Sequence, residues 1–263
     1  NDRGLTAFIV GDSPATLDSS ATSINEWGTN VNLAVEDNAN GLTSRDEYLG
    51  VYYPWGFTSD NAGNNVVVPP SHMMLRTIAL SDQVSFPWFA PAGTRRGGIT
   101  NATATGYIDN EGEFVSIALN EGQRDTLFGI SVNPITFITG AGLVCFGQKT
   151  RAKNASALDR VNVARLVIYM RSQLNKLAKP YIFEPNDKIT RDEIKNAAES
   201  LMLELVGSRA LYDYIVVCDE SNNTPSRIDR NELYLDIAIE PVKAVEFIYI
   251  PLRLKNTGEI AGL

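Results

Sequence analysis

The chain has little histidine, little cysteine and a shortage of basic side chains. It carries one histidine and two cysteines in 263 residues, with 23 basic against 31 acidic side chains. A lone His72 cannot supply a metal site built on two histidines. Cys145 and Cys218 lie in separate apolar runs without ligand spacing, so neither a disulfide framework nor a structural zinc is predicted. Both thiols are expected to be reduced, as in a cytosolic setting.

The charge balance and the lack of a long apolar run exclude two classes of partner. The net charge is −8 and the sequence pI is about 4.8, whereas nucleic-acid binding needs clustered lysine and arginine. The longest apolar-rich run, residues 135–147, is too short and too rich in glycine to cross a bilayer. We therefore predict no nucleic-acid partner and no membrane insertion.

What the chain does contain is the apolar content of a folded domain. Hydrophobic residues make up 44% and charged residues 21% of the sequence, close to the globular average. Buried strands are expected where apolar runs end at turn residues. They are predicted at Leu5–Val10, Leu49–Tyr53, Tyr212–Cys218, Leu233–Ile239 and Val245–Ile250.

Helical periodicity is strongest in the second half. Apolar residues recur at helical spacing through residues 156–178, with Ser156 as a candidate cap and Pro180 as the stop. Thr190 and Glu193 have the spacing of a capping box, which predicts a helix over residues 191–206. Between the two helices, Tyr181–Phe183 is predicted as a short strand. Weaker patterns predict helices over residues 20–31, 71–80 and 120–128 and a bent strand or hairpin over 134–146.

These elements predict an α/β fold in which a mixed β-sheet core is flanked by helices. We divide the chain at residue 125. Residues 1–125 would hold the first part of the core, including a strand-rich loop region at 56–116. Residues 126–263 would form a C-terminal domain that ends in an arm over residues 251–263.

No motif in the sequence specifies catalysis, a cofactor or a metal ion. Asp12-Ser13 follows a predicted strand but lacks the glycine spacing of a nucleophile or phosphate loop. Gly140-Ala-Gly142 is only half of a dinucleotide fingerprint. Glu184 and Asp187 flank Pro185 as expected of a turn before a helix. An enzyme of hydrolase or phosphatase type, using Asp12-Ser13 or Glu184/Asp187 with His72, is the alternative.

Two local basic features stand out in an otherwise acidic chain. They are the pair Arg95-Arg96 and the run from Lys149 to Lys153. Each is either a solvated surface or a contact with an acidic neighbouring copy. The run from Lys149 to Lys153 and the polar tail after the last predicted strand give a predicted inter-subunit interface. Its residues are Leu252, Arg253, Leu254, Lys255, Asn256, Lys149, Arg151 and Lys153.

An ordered series of short motifs over residues 45–254 resembles the contractile tail sheath proteins of myoviruses. That family also includes the sheaths of tailocins and type VI secretion systems. The motifs begin with Tyr48-Leu-Gly-Val-Tyr-Tyr-Pro-Trp55, Val68-Pro-Pro-Ser-His72, Phe89-Ala-Pro-Ala92, Asn133-Pro-Ile135 and Phe146-Gly-Gln-Lys-Thr150. They continue with Asp159-Arg-Val-Asn-Val-Ala-Arg165, Phe183-Glu-Pro-Asn-Asp187, Cys218-Asp-Glu-Ser221 and Ile239-Glu-Pro-Val-Lys-Ala-Val-Glu-Phe247.

The resemblance implies a non-enzymatic subunit of a helical sheath of identical copies. It implies a tail tube protein and a baseplate as partners, assembly in the host cytoplasm and a final place in the virion tail. It also implies an N-terminal region beyond this sequence. The resemblance does not separate a virion sheath from that of a tailocin or a secretion system.

Overall fold

The computed structural model describes residues 7–29, 42, 46–246 and 249. The strands run at Ile9–Asp12 (β1), Leu49–Tyr53 (β2), Trp55–Ser59 (β3), Asn65–Val68 (β4), Ala104–Ile108 (β5), Phe114–Ser116 (β6), Val132–Ile138 (β7), Gly142–Cys145 (β8), Leu211–Val217 (β9) and Asp236–Pro241 (β10). The helices are Ala21–Thr29 (α1), Pro70–Val84 (α2), Gly93–Arg96 (α3), Glu121–Gly129 (α4), Val161–Ala178 (α5), Lys188–Gly207 (α6) and Pro225–Ile228 (α7).

A mixed sheet in the order β1-β2-β7-β8 joins strands from both halves of the chain, as the predicted fold class requires. β1, β2 and β7 are parallel, and β8 returns antiparallel to β7. Successive side chains of β2 enter different cores: Val51 and Tyr53 pack with α1 and α4, whereas Tyr52 packs with α2. Because both faces of the strand are covered, its sequence is almost uninterruptedly apolar.

Two further sheets flank this centre. An antiparallel sheet in the order β4-β3-β5-β6 contains strands of the predicted strand-rich region. The third sheet pairs β9 with β10 and packs on α5 and α6 through a separate core that contains Leu166, Met202 and Val216.

The boundary at residue 125 is wrong as a division between folded units. It falls inside α4, which spans Glu121–Gly129. In addition, β7 pairs with β2, so one sheet combines strands from both sides of the boundary. Sheet pairing between distant segments leaves no local composition signal, which is why the sequence did not reveal it.

Several helices and strands begin or end at other residues than predicted, because side chains form hydrogen bonds with backbone groups at their ends. β10 begins at Asp236 and not at Leu233, since the backbone of Tyr234 exchanges hydrogen bonds with the side chain of Asn223. The long helix begins at Val161, and Ser156 instead caps a short 3-10 turn. Residues 181–183 form no strand: a 3-10 turn covers Lys179–Tyr181, and Phe183 has a φ of 77°. In the strand predicted at 245–250, residues 245 and 246 belong to no strand of the described structure. Most of the remaining residues lie outside the described ranges.

The cap of α6 is Asp187, three residues before the predicted Thr190. The backbone N–H of Thr190 donates to Asp187 Oδ1 at 2.9 Å, and Thr190 itself is buried in the first turn. This hydrogen bond holds the pKa of the Asp187 carboxyl below its usual value. Asp and Thr are both common caps, so the sequence alone could not choose between them.

This cap predicts a specific pH dependence. Because the folded-state pKa of Asp187 is depressed, its contribution to stability is present above the unfolded pKa and is lost as the pH falls through the folded value. Asp187→Asn keeps a capping side chain without the charge. We expect the wild type to melt at a higher temperature than Asp187→Asn at pH 7, and the gap to close toward pH 3. A gap that stays constant over this range in thermal melts contradicts the assignment.

Candidate assembly surface

The sheet of β9 and β10 has one buried face. Tyr214 pairs with Ile239 and Val216 pairs with Ile237 in the antiparallel register. These four side chains pack against the core beneath α5 and α6. Alternate residues of each strand must then point away from that core.

The other face of this sheet is exposed and acidic. Ile215 lies opposite Ala238, and Asp213 lies opposite Glu240. All four are exposed, as is Asp236 near the other end of β10. The face therefore presents a small apolar centre between carboxylates, which favours a partner segment with alternating apolar and basic side chains. We call Asp213, Ile215, Asp236, Ala238 and Glu240 the acidic face.

Both strands of this sheet are edge strands. Within the described ranges, β9 pairs only with β10 and β10 only with β9. The outward N–H and C=O groups of each strand are therefore available to a further strand. A two-stranded sheet is also marginally stable by itself, so additional strands from another chain would stabilise it.

The segment after β10 is tied to the start of α5. Val242 N donates to Ala210 O at 3.0 Å. The guanidinium of Arg160 donates to both carboxylate oxygens of Glu246, at 2.6 and 2.8 Å. Gln148 Nε2 adds a third contact to Glu246 at 3.2 Å. These contacts fix the position from which the chain continues beyond residue 246. Sequence pattern does not predict these contacts, because 86 residues separate Arg160 from Glu246.

The three predicted basic interface residues in the run from Lys149 to Lys153 have different environments. Arg151 is completely buried, and its guanidinium donates to the carbonyls of Ile130 and Leu42. Its interpretation as a surface cation is therefore wrong: the carbonyls of two distant segments fix it inside the fold. Lys149 is half-buried, with Nζ 2.8 Å from Phe128 O and 3.4 Å from the centroid of the Phe128 ring. Burial lowers its pKa. Lys153 is exposed. The five C-terminal interface residues, 252–256, lie outside the described part of the chain.

The residues that the hydrolase or phosphatase alternative would use for catalysis lie in different environments. Asp12 accepts two hydrogen bonds from Ser71 in the first turn of α2, one from the backbone N–H at 2.6 Å and one from Oγ at 2.8 Å. Ser13 is buried, whereas His72 and Glu184 are exposed. Asp187 caps α6. The hydrolase alternative therefore has no support from this arrangement.

Other candidate sites also have structural explanations. Gly140 and Gly142 have positive φ values of 85° and 79° and form the turn between β7 and β8. Burial raises the pKa of the Cys145 thiol to about 12, and the buried Cys218 shifts in the same direction. Among the described residues, no group of three or more His, Cys, Asp or Glu could hold a metal ion. No helix in the described ranges is long and apolar enough to cross a membrane.

Comparison of the sequence and comparison of the structure with known proteins both match this chain to the same kind of protein. Residues 153–255 match the family described as phage tail sheath C-terminal domain. The tail sheath protein of Vibrio phage KVP40 is 34% identical over 249 residues, which cover 91% of this chain and 35% of that protein. The chain is therefore similar to phage tail sheath proteins, and its second half matches their C-terminal domain. Tail sheath proteins are structural proteins and not a known enzyme family.

A second sheath relative and a solved sheath structure agree. The tail sheath protein of Enterobacteria phage T4 is 35% identical over 192 residues, covering 70% of this chain and 27% of that protein. The sheath complex of an extracellular contractile injection system, PVC, in its contracted state has a TM-score of 0.77 at 20% identity. That match covers 98% of this chain and 66% of the other, and it shows a shared fold. The chain thus spans about a third of the length of its sheath relative from phage KVP40.

Proposed function

We propose that this chain is part of a contractile tail sheath subunit without enzymatic activity. Identical copies would polymerise helically around a tail tube, start from a baseplate and contract to drive the tube through the host envelope. Assembly would take place in the host cytoplasm, with the sheath ending in the virion tail. The similarity to tail sheath proteins supports this proposal, and the open β9–β10 sheet is the observation that carries it.

An open sheet suits helical assembly for a physical reason. A subunit in a helical array needs two different, complementary surfaces, because a heterologous contact can repeat without closing. Strand addition supplies backbone hydrogen bonds with few demands on sequence. The edges of β9 and β10 would be one of these surfaces.

We assign the other surface to residues 252–256, which lie outside the described structure. Leu252 and Leu254 alternate with Arg253 and Lys255. If this segment adds as a strand, its leucines continue the buried apolar face and its basic residues meet the acidic face of the neighbour. The tie between Arg160 and Glu246 supports the proposal, because it fixes where this segment leaves its own subunit. The exposed Lys153 stays a proposed contact residue, and the half-buried Lys149 a weaker one.

Negative-stain microscopy of the full-length protein tests the function directly. We expect hollow tubes of uniform diameter that shorten and widen under mild destabilisation. Monomers or irregular aggregates at every concentration tested would contradict the proposal. A virion sheath and a tailocin sheath share this behaviour, and purified particles with or without packaged DNA separate them.

The acidic face predicts an effect of charge reversal. We expect Asp213→Lys with Glu240→Lys to raise the protein concentration needed for tube formation at least about tenfold, because like charges would then face each other across the added strand. Light scattering against concentration measures this. Glu26→Lys with Asp125→Lys changes the net charge equally at two exposed sites on α1 and α4 and should have little effect. Arg253→Glu with Lys255→Glu should restore assembly of the reversed variant. Equal effects of the two double variants would argue against a specific charge contact.

A further inference from the structure

Two arginines lie within electrostatic range of a third, Arg96. Arg95 and Arg96 lie on α3, and Arg209 follows α6. Burial lowers the pKa of Arg96, and the positive charges of Arg95 and Arg209 lower it further. None of the ion pairs among described residues involves these three side chains. An anion from outside would stabilise such a cluster.

One donor of this cluster is also left without an acceptor. Arg96 Nε is buried and has no hydrogen-bond partner among the described residues. The Arg96 guanidinium carbon lies 4.5 Å from the centroid of the Phe89 ring, which holds the group in a fixed orientation. An unsatisfied buried donor is unfavourable, so the Arg96 guanidinium is incompletely paired within its own chain.

An exposed apolar surface borders the arginines. The ring of Phe86 lies 6.2 Å from that of Phe89 and is 47% exposed. Val84, at the end of α2, is 79% exposed. We call Val84, Phe86, Arg95, Arg96 and Arg209 the arginine patch. Its complement is an acidic segment that carries a large apolar side chain.

The turn between α5 and α6 has that complementary character. Phe183 is fully exposed, and its φ of 77° is unusual for a bulky residue. Ile182 is 59% exposed, and Glu184 and Asp187 are exposed beside it. Asn186 Nδ2 donates to Glu232 O at 2.9 Å, which anchors the turn. We call Ile182, Phe183, Glu184 and Asp187 the aromatic tip.

We propose that the aromatic tip of one subunit docks on the arginine patch of a second copy. Phe183 packs against Phe86 and Val84, and the Glu184 carboxylate accepts from the arginines. Aromatic and arginine side chains are the residue types that dominate protein interfaces. The contact joins two different surfaces and therefore repeats along a helical array. It rests on the proposed helical assembly, but it is distinct from strand addition at β9 and β10.

Complementary charge reversal tests this contact in the full-length protein. One variant carries Arg95→Glu with Arg209→Glu, and the other carries Glu184→Arg; all three positions are exposed. Alone, each places like charges across the contact and should raise the concentration needed for tubes at least about tenfold. Mixed one to one, each contact between the two different variants pairs opposite charges, so alternating copies can assemble and tube formation should return toward that of the wild type. Arg76→Glu, at an exposed position of α2, is the control for charge and should assemble normally.

A cross-link gives a second and independent measurement. Phe86→Cys with Phe183→Cys should form disulfide-linked ladders in assembled tubes, and Arg76→Cys with Phe183→Cys should not. The natural thiols, Cys145 and Cys218, are buried and do not compete. Normal tubes from both charge variants, no recovery on mixing, or an absence of ladders in tubes that form would overturn the contact alone. Failure of the wild type to form tubes would overturn the proposed function as well.

Discussion

Removal of residues 251–263 from the full-length protein is expected to abolish tube formation and to leave the fold intact. The contacts that position the preceding segment, from Arg160 and Gln148 to Glu246, all remain. The free energy of unfolding of the subunit should therefore change by less than about 0.5 kcal/mol. Without the added strand, the edges of the neighbour's β9–β10 sheet stay unpaired and subunits lose their backbone link. Thermal melting and negative-stain microscopy of the same sample measure the two effects.

Exchanging neighbouring residues in this segment tests whether assembly depends on their alternation along a strand or only on their composition. Leu252→Arg, Arg253→Leu, Leu254→Lys and Lys255→Leu together keep the residues but shift their alternation by one. In a strand, this moves the apolar side chains to the opposite face, so tubes should again be lost. Deletion of only residues 257–263 keeps the proposed strand and should allow tubes. Normal tubes from the exchanged variant would rule out strand addition by this segment, and unfolding of the shortened subunit would place it in the core.

Arg151→Ala is expected to lose about 3–5 kcal/mol of the free energy of unfolding. The side chain is completely buried, and its guanidinium donates to the carbonyls of Ile130 and Leu42. Truncation leaves buried acceptors unsatisfied and opens a large cavity. Since a typical domain is stable by only about 5–15 kcal/mol, the variant should be recovered poorly. Chemical denaturation of the soluble fraction measures the loss.

Lys153→Ala is the matched control, two residues further along the chain. Lys153 is exposed, so its truncation should change the free energy of unfolding by no more than about 0.5 kcal/mol. Arg151→Lys should recover only part of the lost free energy of unfolding, because a lysine ammonium group lacks the planar arrangement of donors of a guanidinium. Equal stability of the Ala variants at both positions would show that Arg151 does not hold these segments together.

The elements predicted well are those in which local pattern and tertiary environment agree. Leu49–Tyr53 was predicted with its observed bounds, because a strand that is buried on both faces must be apolar throughout. The hairpin of β7 and β8 followed from apolar runs on either side of Gly140 and Gly142. The helix predicted over 71–80 was confirmed within Pro70–Val84, where Pro70 occupies the first helical position.

The elements predicted wrongly are those in which a side chain from elsewhere decides the outcome. Tyr234 does not join β10, because its backbone N–H and C=O form hydrogen bonds with the side chain of Asn223. The run from Lys149 to Lys153 has uniform basic character in sequence, but the fold buries Arg151, half-buries Lys149 and exposes Lys153. The periodicity of a sequence shows which face of a helix or strand is apolar. It does not show which distant carbonyl group will accept a hydrogen bond from a given side chain.

The sequence by itself determined the α/β class, the main helices and strands, and the resemblance to tail sheath proteins, because apolar spacing and ordered motifs are local properties of a chain. The tertiary structure decided how β2 and β7 join in one sheet, how Arg160 holds Glu246, and how Arg95 and Arg209 come within electrostatic range of Arg96. These relations join residues that are far apart in sequence. They exist only once folding has brought the residues within hydrogen-bond or electrostatic range of each other.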